Sequence, residues 1–163
     1  MAIFLLLGLP MSVEPEREHA ASVLCVDDDR DVAEVVQAIL EDDGYAVSCL
    51  YELADDALLR AVGRLEPDVV LLDSASATEY GGSWDLASRI ANRRRPVPVV
   101  MFTAHSADAR EASAGTSARA ESAHFAATVL KPFHVDELLA AVATAASGSL
   151  RFDRSETGDT RRT

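Results

Sequence analysis

The run SVLCVDDDRDV, residues 22–32, places three aspartates, Asp27, Asp28 and Asp29, directly after an apolar stretch. Adjacent carboxylates repel, and at an effective dielectric near 20 two unit charges about 4 Å apart cost roughly 4 kcal/mol. A hard cation offsets that cost. Mg²⁺ takes oxygen ligands, keeps several waters, and typically uses one or two carboxylates together with phosphate oxygens. Three more residues of matching chemistry close or follow other apolar runs: Asp73 ends PDVVLLD, Thr103 ends VPVVMFT, and Lys131 follows AATVL. That puts three carboxylates, one hydroxyl and one ammonium on one edge, where the carboxylates are a poor arrangement empty and a good one around a hard cation. Aspartates also open helices in general, and Asp29 caps the following helix or faces solvent.

These residues share an edge only if the apolar runs are strands. SVLCV, YAVSCL, DVVLLD, VPVVMFT and AATVL are each a few residues long and apolar almost throughout, as expected of parallel strands buried on both faces. Segments of helical period separate them. Val32, Val35, Val36, Ile39 and Leu40 share one helical face, Leu58, Ala61, Val62 and Leu65 another, and Val135, Leu138, Leu139 and Val142 a third. Gly44 ends the first helix, Pro67 the second, and Pro96 with Pro98 frames the fourth strand. Trp84 to Arg93 form a short third helix. The stretch SADAREASAGTSARAESAH predicts one long fourth helix with almost no large apolar residue, thinly packed and mobile. Five βα units with right-handed crossovers predict an α/β fold, a doubly wound five-stranded parallel sheet with helices on both faces. Functional residues in such sheets gather at the carboxyl ends of the strands, beside the point where strand order reverses.

The 163 residues suffice for one domain with tails, and 48% apolar content describes a globular chain. A net charge of −12 disfavours nucleic acid and membrane surfaces as partners and favours a divalent cation or basic proteins. Arg93, Arg94 and Arg95 fall where a helix ends, complementing its dipole. Cys25 and Cys49 lie in separate strands, away from any metal-ligand spacing, and read as buried free thiols. Their sulfurs approach one another if the two strands are neighbours. His19, His124 and His134 show no ligand spacing. Residues 1–20 open with an apolar burst too short to span a bilayer and without a basic start, so they read as a dispensable leader ahead of a domain at 21–148. Residues 149–163 are polar and aperiodic, a flexible tail.

Taken in order, VLCVDDDRDV, PDVVLLD, VPVVMFTA and VLKPF resemble the receiver domain of bacterial two-component response regulators, and the chain is similar to stand-alone, chemotaxis-type receivers. The resemblance covers roughly residues 21–148 and leaves nothing for an output domain. It implies a (βα)5 flavodoxin-like sheet of strand order 2-1-3-4-5 and a cytoplasmic protein. It also implies that Asp73 is the phosphoacceptor, taking its phosphoryl group from a histidine kinase or histidine phosphotransfer protein. Asp27, Asp28, Asp73 and the backbone carbonyl of Ala75 would hold Mg²⁺, while Thr103 and Lys131 would each meet a phosphoryl oxygen. Receivers commonly have the bond between this lysine and the following proline cis, which would aim the ammonium inward. A downstream protein target would read the face of the fourth helix, fifth strand and fifth helix.

The chain departs from that pattern in places. The loop SASATEYGGS lacks the usual methionine, proline and Asp-Gly. Thr128 stands where receivers place a switch aromatic, and Phe125 has the opposite strand parity. The segment from Thr103 to Lys131 exceeds the usual length by more than a helical turn, which suggests that activation orders the fourth helix rather than rotating one ring. Ala75 and His105 lie two residues past Asp73 and Thr103, where receivers tune loss of the phosphoryl group. Two alternatives follow: a receiver scaffold that binds partners without phosphorylation, and an aspartate-nucleophile phosphatase. The latter needs a second carboxylate where this chain has Ala75.

Overall fold

The computed structural model describes residues 20–52, 54–74 and 82–156. Most of the expected leader, Ala75 with the loop 75–81, and the tail from 157 lie outside the described residues. Among the described residues eleven elements follow one another: β1 (Ser22–Val26), α1 (Arg30–Asp42), β2 (Ala46–Leu50), α2 (Asp55–Leu65), β3 (Val69–Asp73), α3 (Gly82–Ala91), β4 (Val99–Thr103), α4 (Ser106–Ala114), α5 (Ala118–Ala123), β5 (Ala127–Leu130) and α6 (Val135–Glu156). The strands form one parallel sheet in the order β2-β1-β3-β4-β5.

Strand alternation sends successive side chains to opposite faces, and each face packs its own helices. Leu24, Val26, Leu72 and Met101 meet Leu58 of α2 and Trp84, Leu86 and Ile90 of α3. Val23, Cys25, Leu71 and Phe102 meet Val36 and Leu40 of α1 and Leu138 and Val142 of α6. Only β3 and β4 are buried along their whole length; β2 and β5, at the edges, are partly exposed. Burial on both faces of every strand, expected from composition, therefore fails at the edges, where one flank has no neighbouring strand. Cys25 and Cys49 are register partners across β1 and β2, and both are free thiols.

Helix faces are shifted from their sequence assignments at a few positions. On α1 Ala33 is buried while Val35 is 54% exposed, and Leu65 and Val135 also face solvent. Gly44, at a positive φ of 95°, follows the last turn of α1 as expected. The final helix runs to Glu156, so residues 149–156, assigned by sequence to a flexible tail, continue α6 in backbone conformation. Gly148 weakens a helix by only about 1 kcal/mol and does not stop one already propagating.

The largest correction concerns the predicted long fourth helix, which forms two. Gly115 caps α4 in the left-handed region at φ 64°, and Ser117 opens α5, its hydroxyl accepting from the Ala120 amide. Small residues here do not mean loose packing: Ala120 and Ala123 enter the core beside Trp84. Phe125 meets the Trp84 ring edge-on at 5.2 Å, and the Arg119 guanidinium lies 4.1 Å over the same ring. Arg119 also pairs with Asp108 and Glu111. A Cβ on Gly115 would meet nothing within 4 Å, so its substitution tests the backbone alone. Gly115→Ala is expected to cost about 1 kcal/mol, the penalty of a left-handed L-residue, read as a lower urea midpoint at unchanged slope.

Candidate functional site

The register of β1 and β3 pairs Val26 with Leu72, so one further residue along each strand sets Asp27 level with Asp73. Both are buried, at 1% and 2% exposure. Asp28 is exposed. Asp29, one of two roles open to it from sequence, is the N-cap of α1, accepting from the amides of Asp31 and Val32. The Asp27 carboxylate holds the turn between them by accepting from the Asp29 amide at 2.9 Å.

Lys131 reaches this edge from the end of β5. Its backbone amide donates to the Thr103 carbonyl at 2.6 Å, continuing the β4–β5 ladder. Its Nζ lies 2.8 Å from Asp27 Oδ2, 3.1 Å from Asp73 Oδ1 and 4.2 Å from the centre of the Phe102 ring. The Lys131–Pro132 bond is cis. Burial disfavours charge on both sides of this cluster. It raises the Asp27 carboxyl above the usual aspartate range, against the opposing hydrogen bonds from Lys131 and the Asp29 amide. For Lys131 burial lowers the ammonium, but the hydrogen bond to Asp27 and the charges of Asp73 and Asp27 outweigh it, leaving the group above the usual lysine range. The pairing of Lys131 with Asp27 goes beyond the sequence assignment, which set the lysine against a phosphoryl oxygen alone.

One carboxylate oxygen from each of Asp27, Asp28 and Asp73 lies within 4.8 Å of the other two. Three carboxylates against one ammonium leave a net negative, oxygen-only donor set, which suits a hard divalent cation. Thr103 ends β4, fully buried, and its Oγ1 accepts from the His105 amide at 3.0 Å and from the Ser74 hydroxyl. The His105 side chain is exposed at the start of α4. Thr128 hydrogen-bonds Ser113 of α4 through the two hydroxyls at 2.7 Å. Sequence reasoning missed Ser74, Ser113 and the ring of Phe102 beneath the lysine. Strand parity contains a signal for Ser74, because the residue after Asp73 falls opposite Thr103 once β3 and β4 are paired in register.

Residues 23–143 match the response regulator receiver domain as a family. The chain belongs to that family. Receivers are phosphoryl-accepting signalling domains that bind Mg²⁺ at an acidic pocket and work with histidine kinases or phosphotransfer proteins and downstream effectors. The transcriptional regulatory protein DltR of Streptococcus agalactiae serotype III is 32% identical over 120 residues, covering 74% of this chain and 49% of DltR. The receiver thus spans about half the length of the curated relatives it matches. Among solved structures, NtrX of Brucella abortus superposes with a TM-score of 0.68 at 26% identity, over 88% of this chain and 32% of NtrX. The chemotaxis response regulator CheY4 of Vibrio cholerae superposes at 0.62 and 20% identity, over 77% of this chain and 98% of CheY4, a likeness of fold. The expected (βα)5 topology of strand order 2-1-3-4-5 is the one observed. Among the described residues no helix is long and apolar enough to cross a membrane.

Proposed function

We propose that this receiver accepts a phosphoryl group on Asp73 from a histidine kinase or histidine phosphotransfer protein and reports the modification to a protein partner. The observation that carries the reading is a buried Asp73 held by the Lys131 ammonium and flanked by Asp27 and Asp28. In the transfer, an Asp73 oxygen forms the O–P bond as the P–N bond to the donor histidine breaks and the electron pair leaves with the imidazole. Asp27, Asp28, Asp73 and the Ala75 carbonyl are the residues to hold Mg²⁺, which when bound neutralises charge on the phosphoryl oxygens. Lys131 exchanges its contact with Asp73 for one with a phosphoryl oxygen, and Thr103 donates its hydroxyl to another.

Phosphorylation adds roughly two negative charges at the edge, and two connections run from there to the surface. Thr103 accepts from the amide of His105, the N-cap of α4, and Ser113 of α4 is hydrogen-bonded to Thr128 of β5. Together α4, β5 and α6 make the proposed partner face, where Leu130 is 40% exposed beside Ser106, Ala109, Arg110 and Ser113.

Thr128 in place of a switch aromatic favours a second reading, a receiver scaffold that binds its partner without phosphorylation. Mg²⁺ separates the two. A working site raises the melting temperature by mass action, with about 2.7 kcal/mol of stabilisation at one hundred times the dissociation constant; a scaffold without a site shows no such rise. Asp27→Asn is expected to melt several degrees higher than wild type in EDTA and to lose most of the Mg²⁺ response. A carboxyl whose folded pKa is raised costs no stability below its unfolded pKa; the cost grows as pH climbs between the two values and stays above them. At neutral pH the neutral amide removes that cost. Calorimetry of both proteins in EDTA and in Mg²⁺ checks the pair of shifts, and an unchanged Mg²⁺ response in the variant removes Asp27 from the site.

A further inference from the structure

Ser74 sits beside the reacting carboxylate and has no part in the scheme above. Its amide donates to the Phe102 carbonyl at 3.0 Å, extending β3 by one residue. That register sets its side chain opposite Thr103, on the face of the sheet that carries Leu72 and Met101. Its carbonyl accepts from the hydroxyl of Ser83, a buried residue in the first turn of α3, at 3.5 Å. Backbone contacts on both sides thus hold Ser74 in place while its hydroxyl donates to Thr103 Oγ1.

The direction of that bond matters. A hydroxyl has two acceptor lone pairs and one hydrogen. At Thr103 one lone pair takes the His105 amide and the other takes the Ser74 hydroxyl, so the oxygen has no further acceptor capacity and its hydrogen is confined to the remaining tetrahedral direction. A threonine held this way is committed to donating, and meets an arriving anionic oxygen without first reorienting. Preorganised donors of this kind stabilise developing charge because no reorganisation is needed at the moment of reaction.

We propose that Ser74 is a positioning residue for phosphoryl transfer, acting through Thr103 by filling its second lone pair and so presenting its hydrogen to the phosphoryl group. The proposal rests on Asp73 being the acceptor. It makes no claim that Ser74 touches the phosphoryl group.

The test labels the full chain with acetyl phosphate and Mg²⁺, following the rate at saturating donor and the half-saturating donor concentration by intact-mass spectrometry. Wild type, Ser74→Ala, Ser74→Thr, Thr103→Ala and the Ser74→Ala/Thr103→Ala double variant are compared, with melting temperature and Mg²⁺ midpoint measured alongside. Loss of one neutral hydrogen bond predicts that Ser74→Ala lowers the saturated rate roughly five- to tenfold. Half-saturation and the Mg²⁺ midpoint stay unchanged, Ser74→Thr recovers the rate, and Ser74→Ala adds no further loss once Thr103 is alanine. A wild-type rate in Ser74→Ala, an equal loss in the Thr103→Ala background, or slowing that tracks a lowered melting temperature in both serine variants overturns the assignment. Labelling of wild type together with any of these leaves phosphoryl uptake standing and removes Ser74; no labelling of wild type overturns both.

Discussion

Asp73→Asn is expected to take up no phosphoryl group when incubated with Mg²⁺ and a small phosphodonor, while wild type is expected to become labelled at one site. The amide has nearly the shape of the carboxylate, and its oxygen still accepts from Lys131, whose Nζ stands 3.1 Å from Asp73 Oδ1. The fold is therefore retained and the chemistry is not, because an amide oxygen is too weak a nucleophile to open the donor's phosphorus. The loss is expected to exceed a hundredfold, consistent with removal of the nucleophile itself rather than of a supporting group. Intact mass after incubation, followed by peptide mapping, reads the result. Asp27 and Asp28 are the rival acceptors, having oxygens within 4.8 Å of those of Asp73. Equal labelling of variant and wild type would end the assignment.

Lys131→Ala is the second large effect, and it falls on stability. Asp27 and Asp73 have side chains 1% and 3% exposed, and the ammonium is the cation between them. Removing one member of a buried charged cluster leaves the others uncompensated, at a typical cost of 3–5 kcal/mol. About a fifth of the lysine side chain meets solvent, which places the expected loss near the lower end, about 3 kcal/mol in the absence of metal. The loss depends on pH with a definite sign. Without the ammonium the Asp27 carboxyl is held further above its unfolded pKa, so the penalty is greatest at neutral and higher pH and fades as acid protonates it. Mg²⁺ should restore part of the stability by taking over the role of the cation. Urea titrations at neutral and at mildly acid pH, with and without Mg²⁺, check all three trends; a variant as stable as wild type in EDTA would show that the ammonium offsets nothing.

Much of the architecture is legible along the chain because buried parallel strands announce themselves. VVLLD and VVMFT are apolar on both parities and lie in the middle of the sheet, so both their existence and their terminal residues Asp73 and Thr103 can be read from sequence. YAVSCL looks alike on paper, yet its position at the edge exposes it; sheet order decides that, and composition along one strand carries no record of order. The face of α1 turns on Ala33, a residue too small to stand out in a hydrophobic pattern but fully buried where helix and sheet approach closely. The split of the fourth helix hinges on Gly115, since a glycine in a helical pattern marks either a tolerated weak point or a cap. At the site, residue types at the strand ends indicated the chemistry. The contact of Lys131 with Asp27, 104 positions apart, needed the three-dimensional arrangement, as did the hydroxyl chain from Ser74 to Thr103.

The clamp of α5 on α3 has a practical corollary. Trp84 is the sole tryptophan of the chain, and it contacts both the Arg119 guanidinium and the Phe125 ring. Indole emission responds to a cation against its face and to water at its rim, so the receiver holds an intrinsic fluorophore at the joint between the α4–α5 segment and the rest of the domain. Displacement of that segment on phosphorylation or partner docking would register as a change in its colour or intensity, with no dye attached.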